Sequence, residues 1–429
     1  MKNYPSLIKE LNSLPKGYIS KKTIHGDDYF YLQFFDNGKL KSKYIKKADL
    51  SIIESGLKRR KEIENLLDNK GKLLPELSKN SKELTGFIMM SDTKVASFDK
   101  GVLSWMDEDK VPLAIKHSKR LEPFLKLRSI DTGRTNSRLL KKVLRIQNVD
   151  DERIVLYAHA ATLTDNYWFK PKGSRLHYSD ISFDSDIYSD IALKGEILYY
   201  PRKSQLSPEL TLTGSYEKCW KKDGNHWYMY KVGNNNEIIS EIFASRLAEK
   251  LNIPTAKYEK DGDYIKTENF AYKVNFEPMA SIVGSDDSYE NVFKSLSIFD
   301  EEIKKQYLYL MCFDLIINNV DRHNENMGLL RDRKTGKIIS LAPNFDNNLC
   351  LISRSIVLNM DPSKDGMITL FFSFIKKNKE AKDILKSISF INLNEKDVDE
   401  CLNELVVDAD IKTYVLGRYE YIKQSICNL

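Results

Sequence analysis

Residues 319–326, with the sequence NVDRHNEN, and residues 344–347, with the sequence NFDN, decide the fold of this 429-residue chain. Asn326 follows Asp321 by five positions, and Asp346 comes after a predicted pair of strands. In phosphoryl transfer this spacing lets an Asp orient the attacking hydroxyl while an Asn oxygen reaches a metal ion on the nucleotide. A second carboxylate is the oxygen ligand that Mg²⁺ prefers. The pattern predicts Asp321 as catalytic and Asn326 and Asp346 as metal ligands. A capping turn is the structural alternative.

The segments upstream of this loop supply the other parts that ATP chemistry needs. Residues 306–319 are apolar and predict a helix that holds the loop rigidly, because phosphoryl transfer depends mostly on positioning. A predicted strand at 226–232 carries Lys231, which we expect on the ATP phosphates. Glu241 lies ten residues later in a predicted helix and can reach Lys231. A solvated helix glutamate is the alternative for Glu241.

A glycine-containing segment, TLTGSYEK at 211–218, precedes that strand. Its position predicts a phosphate-covering loop in which Gly214, Ser215 and Lys218 contact the nucleotide. The chain contains neither GxxxxGK[ST] nor GxGxxG, so this loop is not a Walker A loop.

The charge is concentrated near the N-terminus. Residues 1–80 contain 17 Lys and Arg against 10 Asp and Glu. Two turn sequences and a run of strand formers predict a β-meander at 17–45, and a charged helix follows at 48–69. A small basic sheet backed by a helix suits the phosphates or a groove of DNA; a regulatory or docking module is the alternative. The lysines predicted at the third strand are Lys39, Lys41, Lys43, Lys46 and Lys47.

The rest of the chain divides into two predicted parts, with a linker at 71–81 before them. Residues 81–200 read as a mixed α/β intermediate region without a catalytic motif. Residues 201–429 are predicted as β-rich up to about 232 and mainly helical from 238, with a hairpin at 327–341. Strands followed by helices are the order of a two-lobed kinase.

One helix of the intermediate region, predicted over 137–146, carries a basic face that could bind phosphates, although such a face is more often solvated. The residues of this face are Arg138, Lys141, Lys142 and Arg145.

Several classes of protein are excluded by composition. No run of 18 apolar residues exists, and the longest apolar run is interrupted by Asp314, so a membrane-spanning helix is not expected. The five cysteines form no CxxC pair, and the N-terminus lacks a secretion signal, which predicts a protein of the reducing cytoplasm. HExxH is absent, which removes the commonest zinc-hydrolase motif.

Taken together, TLTGSYEK, the strand WYMYK, NNVDRHNEN and NFDN resemble the HipA-like serine/threonine kinases over about residues 200–400. The resemblance implies an α+β, two-lobed kinase-like domain with a β-rich N-lobe and a helical C-lobe, here preceded by the basic module. It implies ATP and Mg²⁺ as cofactors, a Ser/Thr protein substrate and, for some members, an antitoxin partner that binds DNA.

The same resemblance implies autophosphorylation just ahead of Gly214, at Thr211 or Thr213. Two strand threonines of ordinary β-propensity are the alternative. A lipid or small-molecule kinase, and a DNA-binding regulator with a kinase-like sensor body, also stay open as functions. No basic amphipathic helix for a membrane surface lies beside the predicted site.

Overall fold

A computed structural model describes residues 10–429 except residues 12, 25, 37–38, 71–83, 101, 132, 145–150, 197–205, 354–360 and 408–409. Arg145 and the predicted linker therefore lie outside the described residues. Among the described residues, no helix has the length and apolar character that crossing a membrane requires.

The N-terminal module is a three-stranded antiparallel sheet followed by a helix, as predicted. The elements are β1 (Tyr18–Ile24), β2 (Asp27–Asp36), β3 (Lys39–Ile45) and α1 (Leu50–Lys70). Successive side chains of a strand point to opposite faces, so Tyr44 and Ile45 lie on opposite faces of the sheet. Ile45 is buried, as is Ile63 of α1, whereas Tyr44 is 51% exposed. The face of the sheet that carries Tyr44 is therefore open to solvent.

The intermediate region contains a four-stranded antiparallel sheet with strand order β6-β5-β4-β7 and six short helices among its described residues. Its elements in chain order are β4 (Gly86–Met90), β5 (Thr93–Asp99), β6 (Val102–Trp105), α2 (Leu113–Ser118), α3 (Glu122–Lys126), α4 (Thr135–Val143), α5 (Asp151–Tyr157), β7 (Tyr167–Pro171), α6 (Tyr178–Ile181) and α7 (Ser189–Lys194). Helix α4 thus begins two residues earlier than predicted.

The remaining residues contain two antiparallel sheets and a set of helices. The strands are β8 (Lys218–Asp223), β9 (His226–Val232), β10 (Tyr258–Asp261), β11 (Tyr264–Glu268), β12 (Val274–Pro278), β13 (Gly328–Asp332) and β14 (Ile338–Leu341). The helices are α8 (Asn235–Lys250), α9 (Ala280–Val283), α10 (Tyr289–Ser295), α11 (Glu301–Ile317), α12 (Gly366–Lys377), α13 (Lys379–Ser387), α14 (Glu395–Leu402) and α15 (Ile411–Cys427).

The two sheets have the orders β10-β11-β9-β8 and β12-β13-β14. The β8–β9 hairpin turns at Gly224, which adopts a φ of +57°. Such a φ is natural for glycine and rare for other residues. The structure thus has the mixed helix and sheet content that the sequence predicts, and helices make up most of the described structure after residue 238, but the sequence prediction of a single hairpin in this part was incomplete. Three further strands, β10, β11 and β12, lie between α8 and α9.

Hydrophobic contacts define where the cores lie. The largest cluster is built from the helices after residue 238. A second cluster combines the intermediate region with β8 and β9, because Ile154 and Trp168 pack in the same group as Trp220 and Trp227. The intermediate region and the first two strands of the C-terminal part thus share one core.

Candidate active site

A cavity of about 250 Å³ brings together most of the predicted site residues. Its polar side contains Lys218, Lys231, Asp321, Asn326 and Asp346. The apolar side is lined by aromatic and aliphatic side chains, among them Trp220, Met229, Phe270, Phe276 and Phe345. Charged and apolar side chains around one cavity suit a ligand with a charged group and a flat apolar ring.

Lys231 on β9 is the centre of a buried ion-pair network. Its Nζ lies 3.2 Å from Glu241 Oε1 on α8 and 2.5 Å from Asp346 Oδ1. Glu241 also accepts the Asn347 backbone N–H at 2.7 Å through Oε2. The sequence prediction that Glu241 reaches Lys231 is therefore confirmed as a contact, and the alternative of a solvated glutamate is wrong because Glu241 is 1% exposed.

The charges of this network are stabilised by one another. Burial alone would raise the pKa of Asp346, but the Lys231 and Lys218 ammonium groups outweigh it and lower this pKa to about 2. Burial would lower the pKa of Lys231, yet the Asp346 and Glu241 carboxylates hold it above its ordinary value. Asp346 and Lys231 therefore remain charged at neutral pH.

Lys218 is the second buried amine of the site. It is the partner of Lys231 in the register of β8 and β9. Burial lowers the pKa of Lys218 to about 8, although Asp346 attracts the charged form. Gly214 has a φ of +89°, and a Cβ at this position would lie 2.3 Å from Lys218 Nζ. Glycine suits this position because of its positive φ, which other residues rarely adopt, whereas the Lys218 amine is the end of a flexible side chain.

The predicted catalytic loop begins where α11 ends. Asn318 adopts a φ of +51° and ends the helix, as short polar residues can in this conformation. The Asp321 backbone N–H donates to Asn319 Oδ1 at 3.1 Å. Asn326 Nδ2 donates to the Asp321 carbonyl at 3.1 Å. Burial raises the pKa of Asp321, against the attraction of His323.

Arg322 fastens this loop to the 344–347 segment and was not singled out from the sequence. Its guanidinium forms a bidentate pair with Asp314 at 2.9 Å for both bonds. It also donates to the Asn326 and Phe345 carbonyls at 2.7 and 2.8 Å and to two amide side chains. The sequence feature that could have pointed to Arg322 is Asp314, because a carboxylate inside an apolar helix needs a buried cationic partner.

Thr211 and Thr213 both line the cavity. Thr211 ends a 3-10 helix, is 8% exposed and donates through Oγ1 to the Pro208 carbonyl at 3.2 Å. Thr213 is partly exposed in the loop that follows. Neither residue lies in a strand, so the alternative of two strand threonines is wrong.

The site offers few protein oxygen ligands, which suits Mg²⁺ bound together with phosphate and water better than a metal ion coordinated by protein side chains alone. The described residues contain no group of three His, Cys, Asp or Glu side chains that could hold a metal ion. Asp346 contributes a charged carboxylate, and Asn326 contributes its Oδ1 because Nδ2 already donates to a carbonyl. One carboxylate and one amide leave most of the coordination shell to water and phosphate, as Mg²⁺ prefers.

The intermediate region supplies one wall of the cavity, which the sequence did not reveal. The Thr164 carbonyl accepts the Phe276 N–H at 2.8 Å, and the Leu163 carbonyl accepts Asn269 Nδ2 at 2.8 Å. Asp165 forms a buried ion pair with Arg128 at 2.6 Å. These residues lie against β12 and the segment after β11, which also line the cavity.

Two family models match the chain. Residues 206–410 match the HipA-like C-terminal domain. Residues 3–55 match a model described as a domain of unknown function, DUF6788. No curated protein matches the chain. The resemblance to the HipA-like family is therefore confirmed over residues 206–410, which match the model of its C-terminal domain.

Solved structures also resemble the chain. A chain of the Shewanella oneidensis MR-1 toxin–antitoxin complex of HipA, HipB and operator DNA matches with 14% identity and a TM-score of 0.51, covering 80% of this chain and 100% of that chain. The Helicobacter pylori proinflammatory kinase CtkA matches with 18% identity and a TM-score of 0.39, covering 49% of this chain and 91% of that chain. The first of these supports the fold.

Proposed function

We propose that the chain is an ATP- and Mg²⁺-dependent protein serine/threonine kinase of the HipA-like type. One observation carries the proposal, namely that the Lys231–Glu241 pair, Asp321, Asn326 and Asp346 meet at one cavity. These are the residue types that hold phosphates, orient a hydroxyl and bind Mg²⁺ in kinases.

The residues divide the work of phosphoryl transfer. Lys231 binds the ATP phosphates and is held in place by Glu241. Asp321 orients the attacking hydroxyl and accepts its proton, which its raised pKa favours. Asn326 and Asp346 hold Mg²⁺, whose charge stabilises the phosphates during transfer. Arg322 holds the catalytic loop and the 344–347 segment in a fixed position relative to each other.

The test measures phosphate transfer from labelled ATP to the protein itself and to a generic Ser/Thr substrate in the presence of Mg²⁺. We expect Asp321→Asn and Asp346→Asn each to lower transfer by roughly two to four orders of magnitude. Asn is a suitable replacement at 346, where φ is +60°, because it tolerates this conformation better than most residues. Full activity in either folded variant would refute the assignment.

Autophosphorylation is the proposed regulation of this site. Phosphate on Thr213, the more exposed of the two threonines, would add about −1.5 to −2 charge where the loop approaches the ATP phosphates. Mass spectrometry after incubation with ATP should find phosphate on Thr213 or Thr211 in the wild type and none in Asp321→Asn. Phosphate found only elsewhere, or an unchanged ATP affinity in Thr213→Asp, would refute the switch.

DNA is the proposed partner of the N-terminal module, and the solvent face of its sheet supports this. Tyr31 and Tyr44 are paired in register with ring centroids 5.7 Å apart, and Tyr29 lies 6.4 Å from Tyr44. Lys22 Nζ lies 5.5 Å above the Tyr31 ring on the same face. Aromatic, hydroxyl and ammonium groups together suit base edges and phosphates.

An antitoxin-like protein is the other proposed partner, on the analogy of the Shewanella HipA and HipB complex. In that case the kinase would act as a toxin or a regulator.

A further inference from the structure

The proposed nucleotide loop is held from outside the cavity by a residue of the intermediate region. Arg134, the residue before α4, is 3% exposed. Its Nη2 donates to the Leu212 carbonyl at 2.6 Å, and its Nη1 donates to the Lys218 carbonyl at 3.4 Å. One guanidinium therefore joins the two ends of the segment that contains Gly214.

The first turn of α4 adds a second attachment to the same segment. The Asn136 backbone N–H donates to Glu217 Oε1 at 3.1 Å, and Asn136 Nδ2 donates to the Ala192 carbonyl at 3.3 Å. Ser137 Oγ donates to the Arg134 carbonyl at 2.7 Å and so fixes the backbone that carries the guanidinium. The loop is thereby connected to α4 and α7.

Burial of the Arg134 guanidinium is energetically unfavourable, because the charged group loses its hydration. A buried cation normally needs a carboxylate partner, yet the hydrogen bonds described above are to neutral carbonyls. Burial lowers the pKa of Arg134, and the nearby Glu209 has its own pKa raised to about 8 by burial. A planar guanidinium can span two carbonyls, which an ammonium group cannot do as well.

We propose that Arg134 is a positioning residue for ATP binding, a role that rests on the proposed kinase function. The cavity lining includes Gly214, Ser215 and Lys218 but not Arg134, so the guanidinium acts on the nucleotide through the loop. By fixing both ends of the loop, it keeps Lys218 directed at the site before ATP arrives. ATP binding then does not have to order the loop.

The test separates loop positioning from general stability. Arg134→Met removes the hydrogen-bond donors and keeps most of the aliphatic stem. Arg134→Lys keeps the positive charge but lacks the planar guanidinium that donates to two carbonyls at once. Arg175→Met is the matched control, because Arg175 is an exposed arginine of the same intermediate region. We expect Arg134→Met to raise the KM and Kd for ATP by roughly 10- to 100-fold, as loss of hydrogen bonds from a charged donor does. The kcat at saturating ATP should change less than about threefold.

Arg134→Lys should show a smaller rise in KM, and the control should match the wild type. Hydrogen exchange of the amides at 212–218 should become faster in Arg134→Lys, while exchange in α11 stays unchanged. If Arg134→Met does not fold, the KM for ATP and the hydrogen exchange at 212–218 of the Arg134→Lys variant test the proposal.

Two results would overturn the proposal. One is a KM for ATP equal to that of the wild type in a folded Arg134→Met variant, or the same KM together with unchanged hydrogen exchange at 212–218 in the Arg134→Lys variant. The other is a variant that lowers only kcat and leaves the KM for ATP unchanged. ATP binding by the wild type is measured first, because a wild type that binds no ATP refutes the kinase function itself, whereas loop exchange still reports on the Arg134 contact.

Discussion

Lys218 and Lys231 face each other across two strands, but their amines have different environments. Lys231 has two carboxylate partners within 3.2 Å. Lys218 is 9% exposed, and its pKa is about 8. Near neutral pH the site therefore holds one permanently charged amine and one that loses its proton a little above the physiological range.

The affinity for ATP should consequently depend on pH. Below pH 8 Lys218 is charged and attracts phosphate, and above pH 8 it becomes neutral in the nucleotide-free protein. The Kd for ATP should rise by up to tenfold per pH unit above 8, with proton uptake on binding. Calorimetry in buffers of different ionisation enthalpy between pH 7 and 9.5 measures both.

Lys218→Arg is the control for this prediction, because arginine stays charged throughout the range. Its Kd should be independent of pH. A wild-type Kd that does not change between pH 7 and 9.5 would show that Lys218 does not bind phosphate.

The sequence predicted those site residues whose partners follow from a fixed spacing. Lys231 and Glu241 are ten positions apart on consecutive elements, so their contact could be predicted. Arg322 and Arg134 could not, because their partners are backbone carbonyls and side chains that meet only after folding. Arg134 and Leu212, for example, are 78 positions apart.

At the scale of elements, the sequence predicted those with a strong pattern. Turn residues and alternating strand formers identified β1 to β3, and a continuous apolar run identified α11. β10 and β11 were missed because YEKD and YIKTE are short and rich in charged residues. They form strands because they pair with β9 in the order β10-β11-β9.

A buried ion pair joins the intermediate region to the paired strands β12 and β13. Arg331 on β13 pairs with Glu277 on β12. Glu277 accepts the Leu113 backbone N–H at 2.6 Å, and Arg331 donates to the Asp109 and Val111 carbonyls at 2.6 and 3.0 Å. The pair therefore fixes the segment that leads into α2.

Arg331→Met should destabilise the protein by about 3–5 kcal/mol, because it leaves Glu277 buried without its cation. Lys334→Met, at an exposed position of the turn between β13 and β14, should have little effect. Urea unfolding followed by tryptophan fluorescence measures the difference in midpoint. Replacing both partners by Met should recover part of the loss, and equal midpoints for Arg331→Met and Lys334→Met would contradict the prediction.

At the scale of the whole molecule, the chain combines a basic module with a nearly neutral body. If residues 1–80 bind DNA through phosphates, the logarithm of the binding constant should fall linearly as the logarithm of the salt concentration rises. Deleting the module should abolish DNA binding and leave kinase activity. A gel-shift titration at several salt concentrations measures this.

A paired substitution locates the DNA surface. Lys22→Ser with Tyr44→Ser changes the solvent face of the sheet, whereas Lys58→Ser with Ile52→Ser removes one charge and one apolar group from exposed positions of α1. We expect the first pair to weaken binding at least tenfold and the second to have little effect. Equal effects, or no binding in low salt, would favour a protein-docking role.

The core shared by the intermediate region and β8–β9 has a consequence for synthesis on the ribosome. Residues around Ile154 and Trp168 emerge before Trp220 and Trp227, with which they pack. During translation, the apolar surface made by the first group stays uncovered until the second group has left the exit tunnel. We therefore expect this part of the intermediate region to stay exposed until β8 and β9 have been made, and a ribosomal pause before residue 227 would prolong that exposure.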